Sequence, residues 1–241
     1  MKIYEKEISD GLQDVMLSNN TLAYCSLAEK HIPTEQEQNC EVDRLVSSKA
    51  LEGGNENQID LYYLKSILVS TGWNKNDDVF DPKELWEAKS TPEDKPFNYM
   101  HDEKDIIGHI TGNAVVDFDG NEIDDSLSDV PSQFNILTTS VIYTSWSDIE
   151  QKERMSKIVS EIDEGKWFVS MECLFPNFDY ALIDNSGKAS VLPRNEASAF
   201  LTKYLRSYGG TGNYQNYQVG RLLRNLSFSG KGLVSKPANP R

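Results

Sequence analysis

The alternation of apolar and polar residues along the chain predicts many β-strands and few helices. Strand side chains point to opposite faces in turn, so short runs that alternate or are mostly apolar, bounded by turn residues, indicate strands. A hairpin is predicted where the turn "DNSG" joins "DYALI" to "ASVLP". The other strand-like runs are "IDLYYLKSILVS" (59–70), "IIGHITGNAVVDFDGNEI" (106–123), "FNILTTSVIYTSW" (134–146), "KWFVSMECLF" (166–175) and "RLLRNLSFSGKGLVSKPANP" (221–240).

Capping residues and apolar periodicity predict three helices. Asp81 suits an N-cap, because its side chain can accept from the free N–H groups of the first turn, and Pro82 suits the first helical position. Ser147 and Glu150 have the spacing of a capping box. The helical segments are predicted at 81–90, 147–165 and 195–210, the last of them ended by Gly209 and Gly210.

Many strands with a few helices packed outside them predict a mixed α/β (α+β) fold, with a mostly antiparallel β-barrel core and helices around it. The 241 residues suffice for one sizeable core, and we expect a single domain. Residues 1–58 are a less certain N-terminal segment, interpreted as a strand or short helix followed by loops. Asp119-Gly120 is a turn signal that predicts a strand pair around it. In the second helix, the apolar residues expected near one face are Ile149, Met155, Ile158, Val159 and Ile162.

Charge and cysteine content argue against several classes of protein. The formal net charge is −14, whereas nucleic-acid-binding proteins usually carry a basic stripe, so we expect no direct nucleic-acid binding. Cys25, Cys40 and Cys173 lack the CxxC spacing of zinc sites and are too few for a disulfide framework. We therefore expect no metal and a reducing compartment. No run approaches the ~20 apolar residues of a membrane span, and the N-terminus has no signal-peptide core, so we expect a soluble intracellular protein.

Ser170 and the histidines are the candidate chemical residues. Ser170 lies within "WFVSMECLF", among residues that favour burial, and either bonds a neighbouring backbone group or acts as a nucleophile. A serine nucleophile needs a base, and the chain has three histidines. His31 lies in a polar stretch, and His109 lies inside a strand-like run as an expected structural residue. His101, between a strand and an acidic turn, is the best-placed base, and the alternative for it is a satisfied loop histidine, which the residues by themselves favour.

Four segments, in order, resemble the motifs of the prohead proteases of tailed phages. These capsid-maturation serine proteases have a fold similar to that of the herpesvirus assembly proteases. The resemblance covers roughly residues 59–241. The segments are "GWNKNDDVFDPKELWEA", "KPFNYMHDEKDIIGHI", "FVSMECLF" and "LSFSGKGLVSKPANP".

The resemblance implies roles for individual residues. In that family a histidine lies in a "His-Asp…Ile-Gly" context, matched here by His101 with Asp102, and by Ile107 with Gly108. The nucleophile lies in a "Val-Ser" strand, matched by Ser170. We therefore expect the Ser170 Oγ within ~4 Å of a His101 ring nitrogen. A "Leu-Val-x-x-Pro-Ala-Asn-Pro" segment, here 233–240, closes the family's domain, and about 119–165 would be an insertion between the His and Ser motifs.

The resemblance also implies an activity and partners. We expect a serine endopeptidase of prohead maturation that cleaves scaffold and major capsid proteins and finally itself. It would act in the host cytoplasm, inside the assembling prohead and without a cofactor, and a homo-oligomer is a candidate assembly. The chain ends at Arg241, directly after the closing segment, which suggests a trimmed form of a longer product. The alternative is a catalytically inactive scaffold or head structural protein with the same fold.

The third catalytic residue is open at this point. Many relatives carry an acidic residue in the strand before the closing segment, but this chain has Gly230 and Gly232 there. Glu172 is the first choice, because it lies two residues beyond Ser170 and therefore on the same face of the strand. Asp102 and Asp179 are the other candidates for the group that orients the histidine.

Overall fold

The computed structural model describes residues 1–18, 25–30, 60–124, 126 and 128–235. His31, Cys40 and the segment 236–241, which contains the whole Pro-Ala-Asn-Pro motif, lie outside them. The helices are α1 (Glu5–Ser9), α2 (Gln13–Ser18), α3 (Pro82–Ala88) and α4 (Ile149–Asp163). The strands are β1 (Cys25–Leu27), β2 (Glu29–Lys30), β3 (Leu61–Ser70), β4 (Gly72–Trp73), β5 (Asp78–Phe80), β6 (Pro96–Tyr99), β7 (Asp102–Val116), β8 (Asn135–Tyr143), β9 (Phe168–Leu174), β10 (Asn177–Asp184), β11 (Ala189–Leu192), β12 (Asn213–Tyr214), β13 (Tyr217–Arg224) and β14 (Ser227–Val234).

Eight of these strands form a sheet that curves into a nearly closed barrel, in the order β1-β9-β14-β6-β7-β8-β3-β2. Neighbours are antiparallel except β14 and β6, which run parallel. β1, at one edge of this sheet, also contacts β3, which lies next to the other edge. There the Ser26 hydroxyl on β1 donates to the Ile67 carbonyl on β3 over 2.5 Å. The second sheet has the order β11-β10-β13-β5-β4, with β12 beside β13. The prediction of a mixed α/β fold dominated by strands is confirmed.

Most predicted elements are present, with differences where tertiary contacts prevail. The run 106–123 forms mainly one long strand, β7, which already begins at Asp102. Beyond the Asp119-Gly120 turn, an isolated bridge pairs Glu122 with Val116. β8, within the range 119–165, is an interior strand of the barrel. The prediction of one helix at 195–210 is wrong. Its place is taken by two 3₁₀ segments, Ala199–Tyr204 and Arg206–Tyr208.

The helix ends show where local signals suffice. Asp81 caps α3 as predicted, accepting from the N–H groups of Lys83 and Glu84. α4 is capped by Asp148, which accepts from the Gln151 N–H over 2.8 Å, and not by Ser147. Ile149 is 72% exposed, contrary to prediction. The buried face of α4 consists of Met155, Ile158 and Ile162. None of the helices in the described ranges is long and apolar enough to cross a bilayer.

Lys231, Ser66 and Thr138 form a buried polar layer between two apolar clusters inside the barrel. The Lys231 ammonium donates to Ser66 Oγ over 3.3 Å and to Thr138 Oγ1 over 3.1 Å, and lies 4.9 Å from the centre of the Phe97 ring. On β3, Ser66 separates Leu64 of one cluster from Leu68 of the other. The side chain is fully buried, and the loss of hydration lowers its pKa to about 7.

We expect Lys231→Met to stabilise the fold at neutral pH. In the unfolded chain the amine is protonated below about pH 10, but in the fold only below about 7. The burial penalty is therefore fully present below pH 7 and fades as the pH rises towards 10. The variant should raise the free energy of unfolding by about 1–4 kcal/mol at pH 7, and the gain should shrink towards pH 10.

Urea unfolding at a series of pH values measures this difference. Lys188→Met, at an exposed turn position, is the matched control and should give a difference that does not vary with pH. A gain from Lys231→Met that is equally large at pH 7 and pH 10 would contradict the assignment of the effect to the buried charge.

Candidate active site

His101 lies in the tight turn that joins β6 to β7. Tyr99 and Asp102 pair across the turn, which leaves Met100 and His101 as its two central residues. Both have left-handed backbones, with φ of 54° and 61°. A two-residue hairpin turn of this kind usually uses Asn-Gly, because side chains are strained at positive φ. The Met100 N–H donates to the Leu233 carbonyl over 2.9 Å, which anchors the turn to β14.

Strand order brings this turn to Ser170. β14 lies between β6 and β9, and Gly232 on β14 pairs with Asn98 on one side and with Ser170 on the other. Ser170 lies on the outward face of β9 together with Glu172, because side chains alternate along the strand. The His101 ring therefore crosses β14 at Gly232, which has no side chain, and reaches the outward face of β9.

The three side chains form a continuous hydrogen-bonded chain. His101 Nε2 lies 2.8 Å from Ser170 Oγ, and His101 Nδ1 lies 2.7 Å from Glu172 Oε1. An ionised carboxylate can only accept, so we assign the ring proton to Nδ1, which leaves Nε2 free to accept from the serine hydroxyl. The predicted proximity of Ser170 and His101 is present, and the carboxylate hydrogen-bonded to the other ring nitrogen is that of Glu172. This tautomer is the one that a general base for Ser170 requires.

Burial and hydrogen bonding determine the charge on Glu172. Ser170 is 1% exposed, while the side chains of His101 and Glu172 are 28% and 12% exposed. Burial raises the pKa of the Glu172 carboxyl, but hydrogen bonds from His101 and Asn98 outweigh it and hold that pKa below its ordinary value. Glu172 is therefore ionised at neutral pH and can stabilise positive charge on the imidazole.

Gly230 and Gly232, which the sequence analysis noted as the place of a missing carboxylate, make room for this arrangement. A Cβ on Gly230 would lie 2.9 Å from Glu172 Oε2. A Cβ on Gly232 would lie 2.9 Å from His101 Nδ1 and equally close to Asn98 Oδ1. The carboxylate thus comes from the neighbouring strand, β9, and lies over a position where β14 has no side chain.

The other two candidate carboxylates have different partners. Asp102 is exposed and accepts from the Lys104 N–H over 2.9 Å. Asp179 belongs to the second sheet, where it accepts from Arg224 Nε over 2.9 Å and from the Arg194 N–H over 3.0 Å. Neither is hydrogen-bonded to His101.

His109 is a strand residue of β7, as predicted. Its Nδ1 lies 2.9 Å from the Tyr143 hydroxyl, and the two rings are 5.9 Å apart. Gly108, beside it, is required by close packing, because a Cβ there would lie 1.9 Å from the Val141 carbonyl oxygen. The "Ile-Gly" part of the motif is therefore explained by the approach of β7 to β8.

α4 fixes the outer side of the His101 turn. Arg154 on this helix donates to both carboxylate oxygens of Asp105, over 3.0 and 2.5 Å. Its guanidinium also lies 4.6 Å from the centre of the Tyr99 ring, and that ring packs against Trp167 at 5.4 Å. These contacts connect the helix to both strands that flank the turn.

Sequence reasoning missed Asn98, which lies on β6 and donates from Nδ2 to Glu172 Oε1 over 2.8 Å. The only available signal was a polar residue inside the otherwise apolar-aromatic stretch "PFNY", three positions before the histidine. Among the described residues, no group of three or more His, Cys, Asp or Glu side chains could hold a metal ion.

No protein-family model, curated protein or solved structure matches this chain. The function has to be inferred from the site and from the motifs.

Proposed function

We propose that this chain is a serine endopeptidase of phage prohead maturation, with Ser170 as nucleophile, His101 as general base and Glu172 as the third member of the triad. The observation that carries the proposal is the hydrogen-bonded chain from Ser170 Oγ through both His101 ring nitrogens to the Glu172 carboxylate. Three residues that belong to two separate parts of the chain meet in the relative order that acyl transfer requires.

The geometry supports the following sequence of steps. Ser170 Oγ attacks the scissile carbonyl carbon as His101 Nε2 takes its proton, and the carbonyl oxygen becomes an oxyanion. The ionised Glu172 stabilises the imidazolium and keeps Nδ1 protonated. His101 then gives the proton to the leaving amine, and the C–N bond breaks to leave an acyl-serine. The same base next activates a water, which releases the acid product and restores the hydroxyl.

The biological assignment rests on the order of the four motifs. A prohead protease with a herpesvirus-assembly-protease-like fold would cleave scaffold and major capsid proteins and itself, inside the assembling particle in the host cytoplasm. The nearly closed barrel is compatible with that fold.

Reaction with a fluorophosphonate tests the enzyme. We expect the purified protein to be labelled at Ser170, and Ser170→Ala and His101→Ala to lose labelling while remaining folded. His109→Gln is the matched histidine control, because His109 contacts Tyr143 and not the triad, and it should keep most of the labelling.

Two outcomes would contradict the proposal. Absence of labelling, both for the free protein and for the protein co-assembled with scaffold and capsid proteins, would favour the inactive head structural protein. Equal loss of labelling in His109→Gln and His101→Ala would show that the base is wrongly chosen. Co-expression with scaffold and capsid proteins then tests the substrates, since their cleavage should require an intact Ser170.

A further inference from the structure

Asn98 is a buried amide that hydrogen-bonds to the Glu172 carboxylate. It lies on β6, is 1% exposed, and donates from Nδ2 to Glu172 Oε1 over 2.8 Å. His101 Nδ1 approaches the same carboxylate oxygen at 2.7 Å. One oxygen of Glu172 therefore accepts two hydrogen bonds, one from the His101 ring and one from the Asn98 side chain on β6.

The backbone around Asn98 is irregular on both sides. The pairing of β6 with β7 shifts register between Phe97 and Asn98 and again between Asn98 and Tyr99. Bulges of this kind re-aim side chains and are frequent beside active sites. Here the irregular pairing surrounds Asn98, a polar residue whose neighbours along β6 are the buried Phe97 and the partly buried Tyr99.

The orientation of the amide follows from the chemistry of its partner. An ionised carboxylate accepts only, so the amide nitrogen must face Glu172. Asn98 Oδ1 then lies over Gly232, buried and without a hydrogen-bond partner among the described residues. A buried acceptor left unpaired is unfavourable by about 1–3 kcal/mol. Asparagine at this place is therefore poorly explained by stability alone.

We propose that Asn98 is a positioning residue that pins the Glu172 carboxylate beneath His101. Glutamate has a long, flexible side chain, and the hydrogen bond from the partly exposed imidazole restrains only one of its oxygens from one side. The second hydrogen bond, from Asn98 on β6, holds Glu172 Oε1 within hydrogen-bond distance of His101 Nδ1 and so orients the ring. The catalytic consequence rests on the proposed function, whereas the interaction between Asn98 and Glu172 does not.

Asn98→Leu tests this, because leucine is similar in size but has no donor. We expect a decrease of about 10- to 100-fold in the rate of fluorophosphonate labelling. In a Glu172→Ala background the same change should alter the rate less than about twofold, since Asn98 acts through Glu172. Equal losses in the two backgrounds, or no loss in either, would overturn the proposal.

Asn113→Leu is the matched control. Asn113 also donates from Nδ2, to the Lys89 carbonyl over 2.8 Å, and also leaves its Oδ1 buried and unpaired within the described part of the chain. It lies on β7 away from the triad, so its replacement should affect stability without slowing the labelling of folded protein.

A second measurement does not depend on activity. Removing a donor to the ionised carboxylate should raise the pKa of Glu172, so its titration, followed by NMR of the side-chain carbon, should move to higher pH in Asn98→Leu and stay in place in Asn113→Leu. An unchanged titration would overturn the inference even in an active enzyme. If the parent protein is not labelled at all, the proposed function fails, and the titration still decides whether Asn98 acts on Glu172.

Discussion

Glu172→Gln should lower the rate of fluorophosphonate labelling by about 10²- to 10⁴-fold with the fold intact. The amide that replaces the carboxylate carries no charge to stabilise the imidazolium, and its NH₂ group can donate to Nδ1 and so select the wrong tautomer. Glu172 is the only one of the three candidate carboxylates that hydrogen-bonds to His101 in the described structure, so the effect should be specific to this position.

The two other carboxylates provide the controls. Asp102→Asn changes an exposed side chain beside the base and should keep the rate within about threefold. Asp179→Asn weakens the contact with Arg224 in the second sheet and should affect stability more than labelling of folded protein. A large rate loss in Asp102→Asn, with Glu172→Gln still active, would show that the third member of the triad is wrongly assigned.

Gly232→Ala should slow labelling by about 100-fold or more while the protein still folds. The new methyl group would lie 2.9 Å from both His101 Nδ1 and Asn98 Oδ1, and 3.0 Å from His101 Cε1. Cβ atoms essentially never approach other atoms to less than 3.0 Å, and the atoms in conflict belong to side chains that can rotate away. The ring should therefore leave its position between Ser170 and Glu172 while the sheet survives.

Gly220→Ala provides the opposite case. A Cβ there would lie 2.4 Å from Trp73 Cζ2 and 2.6 Å from the Asp77 carbonyl oxygen, in the second sheet. This variant should lower the free energy of unfolding without slowing the labelling of protein that remains folded. Thermal unfolding and labelling rates, measured on the same samples, separate the two effects. A normal rate in Gly232→Ala would mean that His101 does not need its observed position.

Local patterns sufficed for features that depend on a few consecutive residues. Strand alternation placed Ser170 and Glu172 on one face of "FVSMECL", because side chains repeat every two residues. Asp81 and Pro82 marked the start of α3, since a cap bonds within its own first turn. The segment 195–210 shows the limit of such patterns. Its backbone becomes extended at the buried Leu205, with ψ of 131°, where packing overrides helical periodicity.

Only the tertiary structure decided which strand lies beside which, and with it the site. His101 and Ser170 are 69 residues apart, and they meet because β14, from the end of the described chain, is inserted between β6 and β9. Hydrophobic periodicity says which face of a strand is buried but not which neighbour it pairs with. For the same reason Gly230 and Gly232 read as a missing carboxylate in the sequence, whereas in the fold their lack of side chains provides the space that Glu172 and His101 occupy.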